Sequence, residues 1–159
     1  MTSNRETIYA ALFALLKQAP GLVFSTRRAT PFSQLLSENK TPALVLLERD
    51  ENPEGAARPD PRMPYVWALN VTALVWVAST SDPTFVPATP LNNILDYITI
   101  QIPPSLPAPA VAPYGVGAVR QTLGIKGVQS VCLAGAIEKD EGVLAPHSYA
   151  AVPIRIITV

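Results

Sequence analysis

Apolar residues recur along this chain first at helical and then at strand spacing. Ile8, Leu12, Leu15 and Leu16 share one stripe, with Tyr9 and Phe13 beside it, which predicts an amphipathic helix over 4–17. Ser3 and Glu6 ahead of it have the spacing of a capping box, and Pro20-Gly21 stops it. Leu22 to Arg28 reads as a short strand. Thr30-Pro31 marks a brief helix carrying Phe32, Leu35 and Leu36, since Pro is tolerated at the first helical position. Ala43 to Glu48 is an apolar run of strand length.

Tyr65 to Val77 gives the clearest strand. Tyr65, Trp67, Leu69, Val71, Ala73, Val75 and Val77 occupy one face at period two, whereas the other mixes Asn70 and Thr72 with Val66, Leu74 and Trp76. Trp67 is thus assigned to the core. Trp76 has two readings, as an anchor for a partner or as core under a second layer. A second helix is signalled at Thr89-Pro90 and carries Leu91, Ile94, Leu95, Ile98 and Ile102 as far as Pro103-Pro104, a span of 90–102. Val128 to Glu138 and Tyr149 to Val159 read as paired strands. Pro153 lacks the N–H a ladder needs, so the last strand is expected at an edge or with this position facing outward. An exposed edge of that kind invites another chain. These elements make one α+β domain over 1–159: a mainly antiparallel β-sheet of five or six strands covered by two main helices.

Charge changes this picture, because it is unevenly placed. Eight of the 24 charged residues lie between Glu48 and Arg62, in a stretch rich in Pro that reads as a long charged loop over 48–63. From Met63 to Val119 there are only two, Asp82 and Asp96, where ordinary composition would place roughly fourteen. Core strands and the Pro-rich connector over 103–118 explain part of this depletion. Burial of outer faces against other copies or other proteins is the second reading. The long loop likewise reads as a solvated hairpin tip or as a docking arm.

Candidate chemistry is sparse. Twelve basic and twelve acidic residues cancel, which leaves no global field for nucleic acid and no polybasic arm for a membrane. One Cys and one His exclude a disulfide framework within the chain and the usual His-rich zinc sites. Cys132 and His147 are the sole nucleophile–base candidates, and Cys132 sits in an apolar strand where a small hydrophobe is the default. Glu138, Asp140 and Glu141 form an acidic cluster with no partner cluster, which reads as a solvated turn. No phosphate loop or dinucleotide fingerprint occurs. No catalytic, cofactor or metal residues are assigned, and an enzyme is not expected.

Three stretches carry a resemblance: Gln121-Thr122-Leu123-Gly124; Val131 to Leu144, reading VCLAGAIEKDEGVL; and Val152-Pro153-Ile154-Arg155-Ile156. With the opening Ile8 to Leu16 and Arg27-Arg28, they resemble the tail terminator, or tail completion, family of tailed phages and prophages. The likeness spans nearly the whole chain. It departs where Ile125-Lys126 replaces an expected second glycine and Leu133 a common Trp. The resemblance implies a structural virion protein, found in tail and neck, whose α+β subunits form a ring, commonly a hexamer, at the head-proximal end of the tail tube. Such a ring stops tube polymerisation and meets the head's connector or neck proteins, with DNA only in transit through the channel. A head-completion or neck connector protein is the alternative. Candidate contacts with partners are Arg49, Glu51, Arg58 and Arg62 in the charged loop, with Trp76 as an apolar anchor. A second candidate arm is the loop 139–148.

Overall fold

The computed structural model describes residues 4–54, 66–82, 84–104, 122–140 and 147–159. Their order is α1 (Asn4–Leu16), β1 (Phe24–Thr26), α2 (Phe32–Ser37), β2 (Ala43–Glu54), β3 (Val66–Val77), α3 (Ala88–Gln101), β4 (Val128–Leu133), β5 (Glu138–Asp140) and β6 (Ser148–Thr158). The strands form one sheet in the order β1-β2-β3-β6-β4, with β5 also paired to β6. All pairs are antiparallel except β1 with β2. The expected α+β class and mostly antiparallel sheet are therefore present.

Side-chain alternation sorts the sheet into two faces. One buries Leu44, Leu46, Leu69, Val71, Ala73, Val75, Val152, Ile154 and Ile156 against Ile8, Leu12 and Leu16 of α1 and Leu91, Ile94 and Ile98 of α3. The α3 stripe read from spacing is the buried one, and in α1 Ile8, Leu12 and Leu16 are buried as expected, whereas Leu15 is half-buried and Tyr9 takes its place inside. Fully burying each such side chain contributes roughly 1.5–3 kcal/mol, so this layer supplies most of the driving force. On the opposite face α2 brings Leu35 and Phe32 over Ala43, Val45, Leu74 and Trp76. Trp76 thus lies under a second layer, and α2 covers part of the face opposite the two main helices. Trp67 is partly buried against the main core.

The ends of the helices differ in detail from expectation. Ser3 falls outside the described residues. Gly21 adopts φ 80° just beyond α1, a conformation open to glycine at little cost. The cap position of α2 is Pro31, without a side-chain hydrogen bond, while the Thr30 hydroxyl donates to the Arg28 carbonyl at 3.0 Å. Helix α3 begins two residues before Pro90, within the first turn, where the missing N–H has no intrahelical partner to lose.

Two strand expectations are corrected. The span 48–63 is not loop at its start, because β2 continues to Glu54. A bulge makes this possible: Glu48 opposes Val71 and Glu51 opposes Leu69, so β2 spends one extra residue there. Without it Asp50 would face the helices; with it Glu51 does. The second correction concerns β6, which is internal, between β3 on one side and β4 and β5 on the other. Pro153 is accommodated because the strand expected over 128–138 is broken. Its carbonyl accepts from the Ala134 N–H at 2.9 Å. The proline nitrogen points the same way, towards residues 134–137, which leave the ladder between β4 and β5.

Ile154 is fully buried at the middle of β6, whereas Val23 is 63% exposed. Ile154→Ala should cost about 2–5 kcal/mol in urea unfolding, and Val23→Ala less than about 0.5 kcal/mol. Equal costs would contradict this placement of the core.

Candidate interaction surfaces

The charged half of β2 meets α1 in a network of ion pairs. Arg27, just past β1, donates from Nη1 and Nη2 to the two carboxylate oxygens of Glu6 at 2.5 and 2.9 Å, and from Nη2 to Glu48 at 2.5 Å. Arg5 pairs with Glu51 at 3.1 Å. The Tyr9 hydroxyl donates to the same carboxylate at 2.9 Å. The two guanidinium groups also lie over rings, Arg5 over Trp67 and Arg27 over Tyr9. Because the bulge turns Glu51 inwards, one carboxylate serves two partners on successive turns of α1.

This arrangement shifts the titrating groups in matching directions. The hydrogen bond from Arg27 holds the Glu6 carboxyl below its ordinary value. The same bond, with that to Glu48, raises Arg27. Burial raises the Tyr9 phenol, and the Glu51 carboxylate beside it adds to the effect. The network links α1 to β2 and to the end of β1 at the surface and engages these charges within the subunit.

Of the residues expected to form one docking arm, Arg49 and Glu51 lie on opposite sides of the sheet. Glu51 lies on the helical side of the sheet and is engaged with α1. Arg49 lies on the other side, exposed, with Nε donating to the Thr72 hydroxyl at 3.3 Å. The Asn70 amide reaches the Asp50 carbonyl beside it at 3.0 Å, so both hydrogen bonds hold the bulge. Arg58 and Arg62 lie outside the described residues. Trp76 stacks on Phe32 at 4.6 Å and packs against Tyr149 at 5.1 Å, near the other end of β3. In the second candidate arm, Lys139 and Asp140 belong to β5 and Ser148 to β6; 141–146 lie outside the described residues.

The Cys132–His147 pair considered from the sequence is not assembled. Cys132 opposes Arg155 on β6, eight residues from His147 and hence about 27 Å along the strand. Burial raises the Cys132 thiol, the reverse of what an activated nucleophile needs. His147 instead accepts the Ser79 N–H at Nδ1, 3.1 Å away, and packs edge-on against Phe32. Among the described residues no group of His, Cys, Asp and Glu is placed to hold a metal ion, and no helix is long and apolar enough to cross a membrane.

The charge depletion read over 63–119 includes α3; what the sequence reading missed is that α1 shares it from Thr7 to Leu16 on the same side of the sheet. From Thr7 to Leu16 α1 has no charged residue, and α3 has only Asp96. Helix α3 turns Thr89, Asn93, Asp96 and Ile100 outwards, with Ile100 76% exposed. A solvent-facing helix normally carries its charges there. The signal was present as charge depletion within each helix, but only packing shows which positions are outside. No protein-family model matches the sequence, and no curated protein matches it.

The Glu6 pair makes a pH prediction. Its carboxyl is depressed below 4.5 in the fold, so the ionised form favours folding above that pH, and the contribution fades as pH falls through the folded value. The stability difference between wild type and Glu6→Gln, from urea midpoints, should be constant above pH 4.5 and narrow below it. A difference that stays constant on acidification would contradict the pairing.

Proposed function

We propose that copies of this chain form a ring, hexameric by resemblance, at the head-proximal end of a phage tail tube. There the ring stops tube polymerisation and joins the tail to the head's neck proteins. The observation that carries association is the helical layer, whose outer surface carries no charge from Thr7 to Leu16 of α1 and only Asp96 along α3, beside the exposed Ile100. Such surface is characteristic of buried interface cores, which are depleted in charge. The tail terminator resemblance supplies the identity of the assembly.

The mechanism is asymmetric by construction. Subunits in a ring meet through two different surfaces, so each copy contributes two flanks. The two ends of the ring are then unlike. One docks on the tube, and the other refuses a further tube layer and receives the neck. The charged segment from Arg49 through Arg62 is assigned to these axial contacts, with Arg49, Arg58 and Arg62 as its cations. Glu51 is excluded from the assignment, because its carboxylate is occupied within the subunit. Zero net charge suits a channel through which DNA passes without tight phosphate binding. The role is structural, with no catalytic group or cofactor assigned, and places the protein in the virion.

Two experiments test this. Electron microscopy of particles made without the gene should show overlong, heterogeneous tail tubes lacking heads. Tails of normal length beside full, unattached heads would assign the protein to the neck connector instead, and normal infectious particles would exclude both roles. Separately, Arg58→Glu with Arg62→Glu should reduce attachment to tubes by about tenfold or more while leaving thermal unfolding unchanged. Undiminished attachment would remove those two residues from the interface.

A further inference from the structure

We propose that successive copies join edge to edge, with β1 of one copy adding antiparallel to β5 of the next and Arg28 pairing with Glu138 across the joint. This inference rests on the ring proposed above and names the surfaces that close it.

The register of the sheet carries the argument. Following paired residues across the strands gives the row Thr26, Val45, Leu74, Ala151, Glu138. The next two rows begin at Ser25 and Phe24 and end at Lys139 and Asp140. The two three-residue strands therefore occupy the same three rows at opposite margins of one sheet.

Strand direction agrees. β1 runs with β2, β2 against β3, β3 against β6, and β6 against β5, so β5 runs opposite to β1. Rotation about an axis along the strands preserves both direction and level. It brings the next copy's β1 beside β5 antiparallel and without slip, Thr26 facing Glu138. Antiparallel addition at a sheet margin is a general way to recruit a strand.

Charge agrees as well. Arg28, two residues past Thr26, is exposed and makes no ion pair among the described residues. The nearby cations Arg27 and Lys40 are already paired, with Glu6 and Glu48 and with Glu38. At the other margin Glu138 is exposed and likewise makes no ion pair among the described residues. Each margin thus offers an unengaged charge of opposite sign, as a contact between unlike surfaces requires.

The test is a disulfide that only neighbouring copies can form. In a Cys132→Ala background, Thr26→Cys and Glu138→Cys lie four strand spacings apart within one chain, about 19 Å, beyond the roughly 7 Å limit between Cα atoms. Facing each other across the joint, their Cα atoms would be about 4.5–5.5 Å apart. Mild oxidation, in concentrated solution and on isolated particles, should give a reductant-sensitive ladder of covalent multimers ending at the ring size. Either cysteine alone should give no more than dimers. Arg28→Glu and Glu138→Arg should each weaken assembly by about tenfold, and the two combined should restore it. The charge swap decides the matter if the cysteine variant does not fold by circular dichroism. If wild type is oligomeric by light scattering or in particles but neither ladder nor charge rescue is seen, the joint is wrong and the ring stands. If wild type is monomeric in both settings, joint and ring fall together.

Discussion

The ladder between β3 and β6 is the constraint on which the rest of the structure depends. Eleven residue pairs run without a register shift from Trp67 with Thr158 to Val77 with Ser148. Both strands are internal, so each must satisfy its backbone groups on two sides. β2 does this for β3, and β4 with β5 for β6. The same alternation directs Leu69, Val71, Ala73, Val75, Val152, Ile154 and Ile156 to one face, which is why α1 and α3 pack there. A one-residue slip would turn that whole row to the other side. Pro153 sits within this ladder without harm only because the strand beyond it is divided.

Once the ladder is set, the distribution of charge follows from what must be held. Helix α1 has an apolar stripe but needs an orientation, and Arg5 with Tyr9 and Glu6 supply it through Glu51, Arg27 and Glu48. Much of the charge near β2 is thereby engaged inside the subunit. Little is left for the outer helical surface, whose one charge within α3 is Asp96.

Much of the fold was legible in the sequence because periodicity reports burial directly. The α3 stripe, Ile8, Leu12 and Leu16 of α1, and the alternation of β3 from Leu69 to Val77 are buried as expected, while Leu15 and Trp67 are half-buried and Tyr65 lies outside the described residues; Phe32 with Leu35 did mark a short helix. The extension of β2 was hidden, since Arg49, Asp50 and Glu51 look like loop until their partners are known. Glu51 is turned inwards by a bulge, and a bulge has no signature in a single strand. The internal position of β6 was hidden for a similar reason: the tolerance of Pro153 depends on a break in a different strand. The matching rows of β1 and β5 are a property of four pairings at once and cannot be seen in any local pattern. Trp76 was left between two readings, and the stacking of Phe32 favours the inner one.

In the proposed ring each subunit meets its neighbours through the margins of its sheet, beside a helical layer poor in charge. The central claim is a position as well as a shape. Cryo-electron microscopy of the head–tail junction in intact particles tests it most directly. The account predicts a closed ring of this fold around the channel, between the last tube layer and the neck. Density for this fold elsewhere in the particle, or particles without it, would contradict the claim.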